Sequence, residues 1–384
     1  MILIIIAIAS YILYRLYNRR ISIIATENKN PKVEIEGFTN SVVSNLQNAN
    51  KTELNVVNFD TSTINSKNGY NNQNLALELK QYCIKSSYKT AFNGTDVSTD
   101  MIKYVLERGC RFIDLDLFYD NPSTTLSPNS TSKCSVVSYC ENPDDTTSVE
   151  SSPTYTKITF SNVCSFISQH AFSTVPNGND PLFVQLNLNC LDKSKKSVFY
   201  QNVAESIMTG FLTNQLYQGQ VDSNTSINKL MKKVVFVMNN RLCSDYKNSK
   251  YATGGNYILM NYINMNNSGD PTTSTMLTIN YDIMKTNAPS PIQIHQTDGN
   301  SGNDVINANF NQVLPIEAKT MMTQNIPTLS TTYNTVNIIP MMFWMNDAEL
   351  VKYETMFTKQ KRAIVPMGKL YKYLSWYKQQ YASF

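Results

Sequence analysis

Downstream of Leu75 the chain consists of short apolar runs separated by amphipathic stretches. LKQYCIKSS (Leu79–Ser87), RFIDLDLF (Arg111–Phe118), LFVQLNLNC (Leu182–Cys190), KKVVFVMNN (Lys232–Asn240), YILMNYINM (Tyr257–Met265), TVNIIPMMFW (Thr335–Trp344) and AIVPM (Ala363–Met367) read as strands. Helices are expected from Ser98/Thr99 onward and over Phe160–Phe172, Ser197–Phe211, Asp347–Lys359 and Lys369–Tyr377. The first is the most fully specified. Ser98 or Thr99 can cap it, Met101, Ile102, Val105 and Leu106 share one face, and Gly109 supplies the stop. This alternation predicts a parallel α/β domain, and the number of units suits a distorted (β/α)8 barrel; a doubly wound sheet is the rival arrangement. Within RFIDLDLF the period of two puts Asp114 and Asp116 on one face, opposite Ile113, Leu115 and Leu117.

Three segments depart from the pattern. MILIIIAIASYILYRLY (Met1–Tyr17) is almost continuously apolar and is followed by Asn18, Arg19 and Arg20. At about 1.5 Å per residue such a stretch reaches the lower limit for spanning a bilayer, helped if Arg15 snorkels. It has no basic leader and no small-x-small cleavage site, so a retained anchor is expected. Arg15, Arg19 and Arg20 would then place the rest of the chain on the cytosolic face, with the N-terminus outside. Residues 21–74 are polar and Asn-rich and read as a linker or arm. Residues 121–156 form a Ser/Thr/Asn/Pro-rich insertion inside the first half of the barrel. The expected organisation is an anchor over 1–20, a linker over 21–74 and a barrel over 75–384, with halves at 75–215 and 216–384.

Composition narrows the picture further. Hydrophobic residues make up 42% of the 384, ample for a core, and the formal charge of +4 comes without a dense basic stripe, so a nucleic-acid partner is not expected. None of the seven cysteines has CxxC spacing, which leaves a zinc site without support. Cys134 and Cys140 share a polar loop and could pair in an oxidising compartment. The chain has only two histidines, His170 within a helix and His295 in a loop-like stretch.

SSYKT (Ser86–Thr90), VLERGCRFIDLDLFYD (Val105–Asp120), FSNVCSFISQHAF (Phe160–Phe172) and PLFVQLNLNC (Pro181–Cys190) resemble, in order and spacing, the catalytic half of phosphatidylinositol-specific phospholipase C. The corresponding family blocks are approximately SSHNT, GCRCxELDxWDG, FxDVxxxIxxxAF and PVILSxExHC. The likeness spans roughly Leu79–Phe211, and TVNIIPMMFW and AIVPM resemble the second half more weakly. It implies a TIM barrel of the phospholipase C-like phosphodiesterase type. It also implies a reaction in which one histidine is the base on the inositol 2-hydroxyl, a second protonates the leaving oxygen, and calcium or an arginine stabilises the phosphorane.

Measured against that pattern, Tyr88 stands for the first histidine, Lys89 for a metal-binding Asn and Asn187 for a metal-ligating Glu. No histidine lies where the second should be. Asp114 and Asp116 remain as a carboxylate pair. The expectation is therefore a catalytically inactive barrel with no cofactor beyond residual Ca2+ binding. It would act as a membrane-anchored structural or adaptor component. The Asn-, Ile-, Tyr- and Lys-rich composition resembles AT-rich genomes, including large DNA viruses. By that analogy the partners would be a lipid bilayer and other structural proteins, as for a minor capsid protein of a virion. The alternatives are an active phosphoinositide phosphodiesterase with relocated groups, such as His295, or a non-catalytic phosphoinositide binder.

Overall fold

The computed structural model of the chain describes residues 77–120, 134–139, 156–173, 175–248, 257–268, 274–281, 310–314, 325–328 and 336–381. The strands are β1 (Tyr82–Ser87), β2 (Phe112–Tyr119), β3 (Ser135–Val137), β4 (Ile158–Thr159), β5 (Leu182–Asn189), β6 (Val234–Asn239), β7 (Met265–Ser268), β8 (Met276–Asn280), β9 (Asn311–Leu314), β10 (Ile338–Met341) and β11 (Ile364–Pro366). The α-helices are α1 (Thr99–Glu107), α2 (Phe160–His170), α3 (Lys193–Gly210), α4 (Asn240–Cys243), α5 (Ala348–Gln360) and α6 (Met367–Tyr381).

Eight strands close a ring in the order β1-β2-β5-β6-β7-β8-β9-β10, and every pairing within it is parallel. The β1–β2 seam is carried by the Ser86–Phe112 pair and by the Arg111 amide, which donates to the Lys85 carbonyl at 2.8 Å. Three strands sit outside the ring. AIVPM, expected among the parallel strands, supplies β11, which runs antiparallel along β1. β3, inside the insertion, and β4, just after it, form an antiparallel flap on β2. YILMNYINM is not a strand over its length: Leu259–Asn261 is a 3-10 turn, and β7 begins only at Met265.

Side-chain parity divides the core. Ile113, Leu115 and Leu117 of β2, with Val184, Leu186 and Leu188 of β5, face outward into the layer shared with the helices. Tyr82, Ile84, Phe112, Phe183, Val235, Val237, Met265 and Ile338 fill the lower lumen with apolar side chains. Above that plug the lumen turns polar. The helices start where their caps require: the Ser98 hydroxyl accepts from the Met101 amide at 3.1 Å, and the Asp347 carboxylate from the Leu350 amide at 2.8 Å. Gly109 stops α1 in a left-handed conformation (φ 86°) that favours glycine.

A buried ion cluster fastens the first strand to the last third of the chain. Glu354 of α5 accepts from Lys85 Nζ of β1 at 2.9 Å and from Arg108 Nε, just after α1, at 2.8 Å. Lys85 also donates to the Arg108 carbonyl at 2.6 Å.

Among the described residues no helix is long and apolar enough to cross a membrane. Met1–Tyr17 and Arg15, Arg19 and Arg20 lie outside the described residues. No helix among the described residues supplies the transmembrane segment expected to precede the barrel. The single-pass topology, the cytosolic-face localisation and the bilayer partner that depended on it are withdrawn.

Candidate active site

The polar upper lumen is centred on β2. Register aligns Asp114 with Gln185 and Asp116 with Asn187, then Asn187 with Asn239 and Asn239 with Asn267. Successive strands therefore present their polar side chains at the same height. Asp114 Oδ1 accepts from Gln185 Nε2 at 2.9 Å and from Asn187 Nδ2 at 2.7 Å. The Asn187 amide also donates to Asp116 Oδ1 at 3.0 Å, while its own oxygen accepts from Asn239 Nδ2 at 2.8 Å. On the far side of Gln185, Asn267 donates to Gln185 Oε1 at 2.7 Å and to Gln312 Oε1, and Thr278 donates to Asn267 Oδ1. The network thus crosses the lumen from β2 to β9.

The chain leaving β1 supplies the cation. Tyr88 continues the β1–β10 ladder through its amide, which donates to the Met341 carbonyl at 2.8 Å. Lys89 then takes a left-handed backbone conformation (φ 43°), strained for a residue with a Cβ and of a kind that gathers at functional sites. The turn aims the Lys89 amide at Asp114 Oδ2 (3.2 Å) and brings its ammonium within 3.2 Å of Asp116 Oδ2. Thr90 locks the turn: its amide donates to the Asp114 carbonyl at 2.8 Å, and its hydroxyl accepts from the Asp114 amide at 2.9 Å. The Lys89 ammonium also lies 4.5 Å from the Tyr139 ring centroid and 5.5 Å from that of Tyr88. Lys89 and Asp116 are each 5% exposed, whereas Tyr88, Asn187 and Asn239 are half-buried and form the rim.

Burial, reinforced by the neighbouring Asp116 carboxylate, raises the Asp114 carboxyl to about 6, even though donors from Gln185, Lys89 and Asn187 oppose the rise. Asp116 Oδ2 faces the lysine as an ion pair but has no aligned hydrogen bond, so it keeps capacity to accept one.

Calcium, the metal implied by the resemblance, does not fit this donor set. A hard divalent cation needs six to eight oxygens, and here a lysine ammonium occupies the place beside Asp116. The Asn187 amide turns its nitrogen, not its oxygen, toward both carboxylates. Among the described residues no three His, Cys, Asp or Glu side chains gather as a metal site.

The structure brings Tyr88, Lys89, Asp114, Asp116 and Asn187 together. His170 lies apart on α2, stacked on Phe166 at 4.1 Å with Nδ1 2.9 Å from the Phe166 carbonyl. His295 and Cys140 lie outside the described residues, and Cys134 is a buried free thiol. Gln185, Asn239, Asn267, Gln312 and Tyr139 were missed from sequence. For Gln185 the signal was present, since LFVQLNLN puts Gln185, Asn187 and Asn189 on one parity.

The sequence profile of the family described as "Phosphatidylinositol-specific phospholipase C, X domain" matches residues 75–240. The fold is a closed eight-stranded parallel barrel that resembles the PI-PLC fold. Among solved structures, PLC21 of L. pealei aligns with a TM-score of 0.51 at 14% identity, and PLC21 of S. officinalis with 0.50 at 13%. Each alignment covers 77% of this chain and 38% of the other, so the likeness is one of fold to part of a longer protein. No curated protein matches the sequence.

The expectation of an inactive adaptor is corrected by the site itself. An eroded site would leave its two buried carboxylates to loop amides or to solvent. Here Asp114 and Asp116 are held by a continuous Asp/Asn/Gln network and a paired lysine, which resembles an intact cluster and argues against a clearly inactivated site. Neither the fold nor any relative supports a virion or capsid role, and that reading is withdrawn with the capsid partners.

Proposed function

We propose that the barrel mouth binds the phosphodiester of an inositol phospholipid and cleaves it with relocated acid–base groups and without a divalent metal. The carrying observation is the Lys89 ammonium seated 3.2 Å from Asp116, beside a carboxyl raised to about 6. The substrate class follows from the X-domain likeness over residues 75–240.

In the reaction a neighbouring inositol hydroxyl attacks phosphorus, forming one P–O bond as the bond to the glycerol oxygen breaks. The Asp114/Asp116 pair takes the hydroxyl proton and returns one to the leaving alkoxide. The Asp114 carboxyl, raised to about 6, can do both, because general acid–base catalysis is most effective when the pKa lies near the working pH. Lys89 compensates charge growing on the phosphoryl oxygens, and a fixed ammonium in a water-poor site stabilises that charge more than it would in water. At the rim Asn239 offers its second amide hydrogen, and Asn187 the second lone pair of its oxygen, to the inositol hydroxyls.

The test is hydrolysis of phosphatidylinositol in mixed micelles by the full chain. Lys89→Met and Asp116→Asn should each lower turnover by about 10²–10³-fold, the usual loss when a preorganised charge-stabilising group is removed. Turnover unchanged by both substitutions contradicts the assignment. Headgroup binding by the unmodified chain with no turnover would leave a phosphoinositide-binding module in its place.

A further inference from the structure

Tyr139 sits at the end of the outer flap, where a Ser/Thr-rich insertion gives no reason to expect a site residue. It is only 6% exposed, and its ring face meets the Lys89 ammonium at 4.5 Å. Its other contacts are rigid. The ring stacks on Phe92 with centroids 3.7 Å apart, and Trp344 abuts Phe92 edge-on at 5.1 Å and Tyr139 at 6.5 Å. The flap is fixed to the site strand directly beside it: Val137 pairs with Leu117, and the Ser138 amide donates to the Asp116 carbonyl at 3.1 Å. Its base is pinned as well. Ser138 Oγ donates to the Thr156 carbonyl at 3.0 Å, and Thr156 Oγ1 donates to Asp96 Oδ1 at 2.9 Å.

From this geometry we infer that Tyr139 is a positioning residue: its ring face, delivered by the flap, holds the Lys89 ammonium against Asp116. A lysine has four rotatable side-chain bonds and a strongly hydrated head. An aromatic face with little access to water gives the ammonium a wall beside the carboxylate, and cation–π attraction is strongest where the cation is desolvated. The ring does this work, so the phenol oxygen is dispensable. The flap thereby becomes part of the active site, and the preorganisation of its cation depends on the Phe92–Tyr139 stack. As far as it concerns catalysis, the inference rests on the function proposed above.

The test uses the full chain with Tyr139→Phe and Tyr139→Leu, and two readouts. The first is the nitrogen-15 resonance of the Lys89 ammonium, assigned by its absence in Lys89→Gln; a proton above a ring face carries an upfield ring-current shift. That shift should persist in Tyr139→Phe and vanish in Tyr139→Leu. The second is phosphatidylinositol turnover, expected within about twofold of the unmodified chain for Phe. For Leu, kcat should fall about 10–30-fold with little change in KM, the scale of a lost desolvated cation–π contact. A Lys89 shift that survives Tyr139→Leu overturns the inference. So does loss of turnover in Tyr139→Phe with the shift intact, which would assign the work to the hydroxyl. If the unmodified chain does not turn over but the shift follows the ring, the positioning stands and the proposed reaction fails. Should Tyr139→Leu not fold, the Phe variant still separates ring from hydroxyl.

Discussion

Glu354→Gln should be among the most destabilising single-atom-scale changes in the barrel. Glu354 neutralises two cations at once, and the Lys85, Arg108 and Glu354 side chains are all 8% exposed or less. The substitution keeps the volume and removes the charge, leaving an ammonium and a guanidinium buried together without a counter-ion. Breaking a buried pair in this way costs about 3–5 kcal/mol, and with two stranded cations the upper part of that range is expected. In urea, at about 3 kcal/mol per M for a protein of this size, the unfolding midpoint should fall by about 1.3–1.7 M. The mechanism can be separated from simple loss of packing. Replacing the cluster as a whole, Lys85→Met with Arg108→Leu and Glu354→Leu, should recover most of the loss, because apolar side chains carry no desolvation cost. A midpoint within about 0.3 M of the unmodified chain for Glu354→Gln, on the same slope, would refute the claim that this cluster ties the chain's two ends.

Because the folded Asp114 carboxyl is raised from 3.8 to about 6, the native state binds its proton more tightly than the unfolded chain does. Its contribution to stability is therefore complete below about pH 4 and is lost as pH rises through about 6, by about 3 kcal/mol in all; Asp114→Asn should flatten that part of a urea-midpoint series, and an unchanged slope contradicts it. Gly210→Ala should destabilise by about 1–3 kcal/mol, since a Cβ there would stand 2.4 Å from Cys164 Cβ at the α2–α3 contact; an unaltered melting curve would show that the helices yield freely.

Much of this site could be read from periodicity, and its limits are physical. In RFIDLDLF a period of two fixed which face Asp114 and Asp116 occupy, and burial of the opposite residues leaves no other register. Ser98 announced its helix through local capping chemistry. Periodicity names a face but not a neighbour, however. AIVPM carries the same signal as a barrel strand and yet pairs antiparallel outside the ring, because pairing is decided by long-range packing. Met276–Asn280 and Asn311–Leu314 escaped notice for a related reason. They are short, and Thr278 and Gln312 face a polar lumen, so they lack the apolar run that marks a buried strand. Tyr139 was invisible because its role comes from the fold of the flap around β2. The pattern of missing histidines pointed toward silence; the network holding the carboxylates could be seen only once six strands stood side by side.

The most direct test of metal-free phosphodiester cleavage is phosphorus-31 NMR of phosphatidylinositol micelles incubated with the full chain, in excess chelator and again in calcium. Loss of the diester resonance at the same rate in both, with a new inositol phosphate resonance, is the expected result. A diester signal that persists in both buffers, or that declines only when calcium is present, would contradict the account.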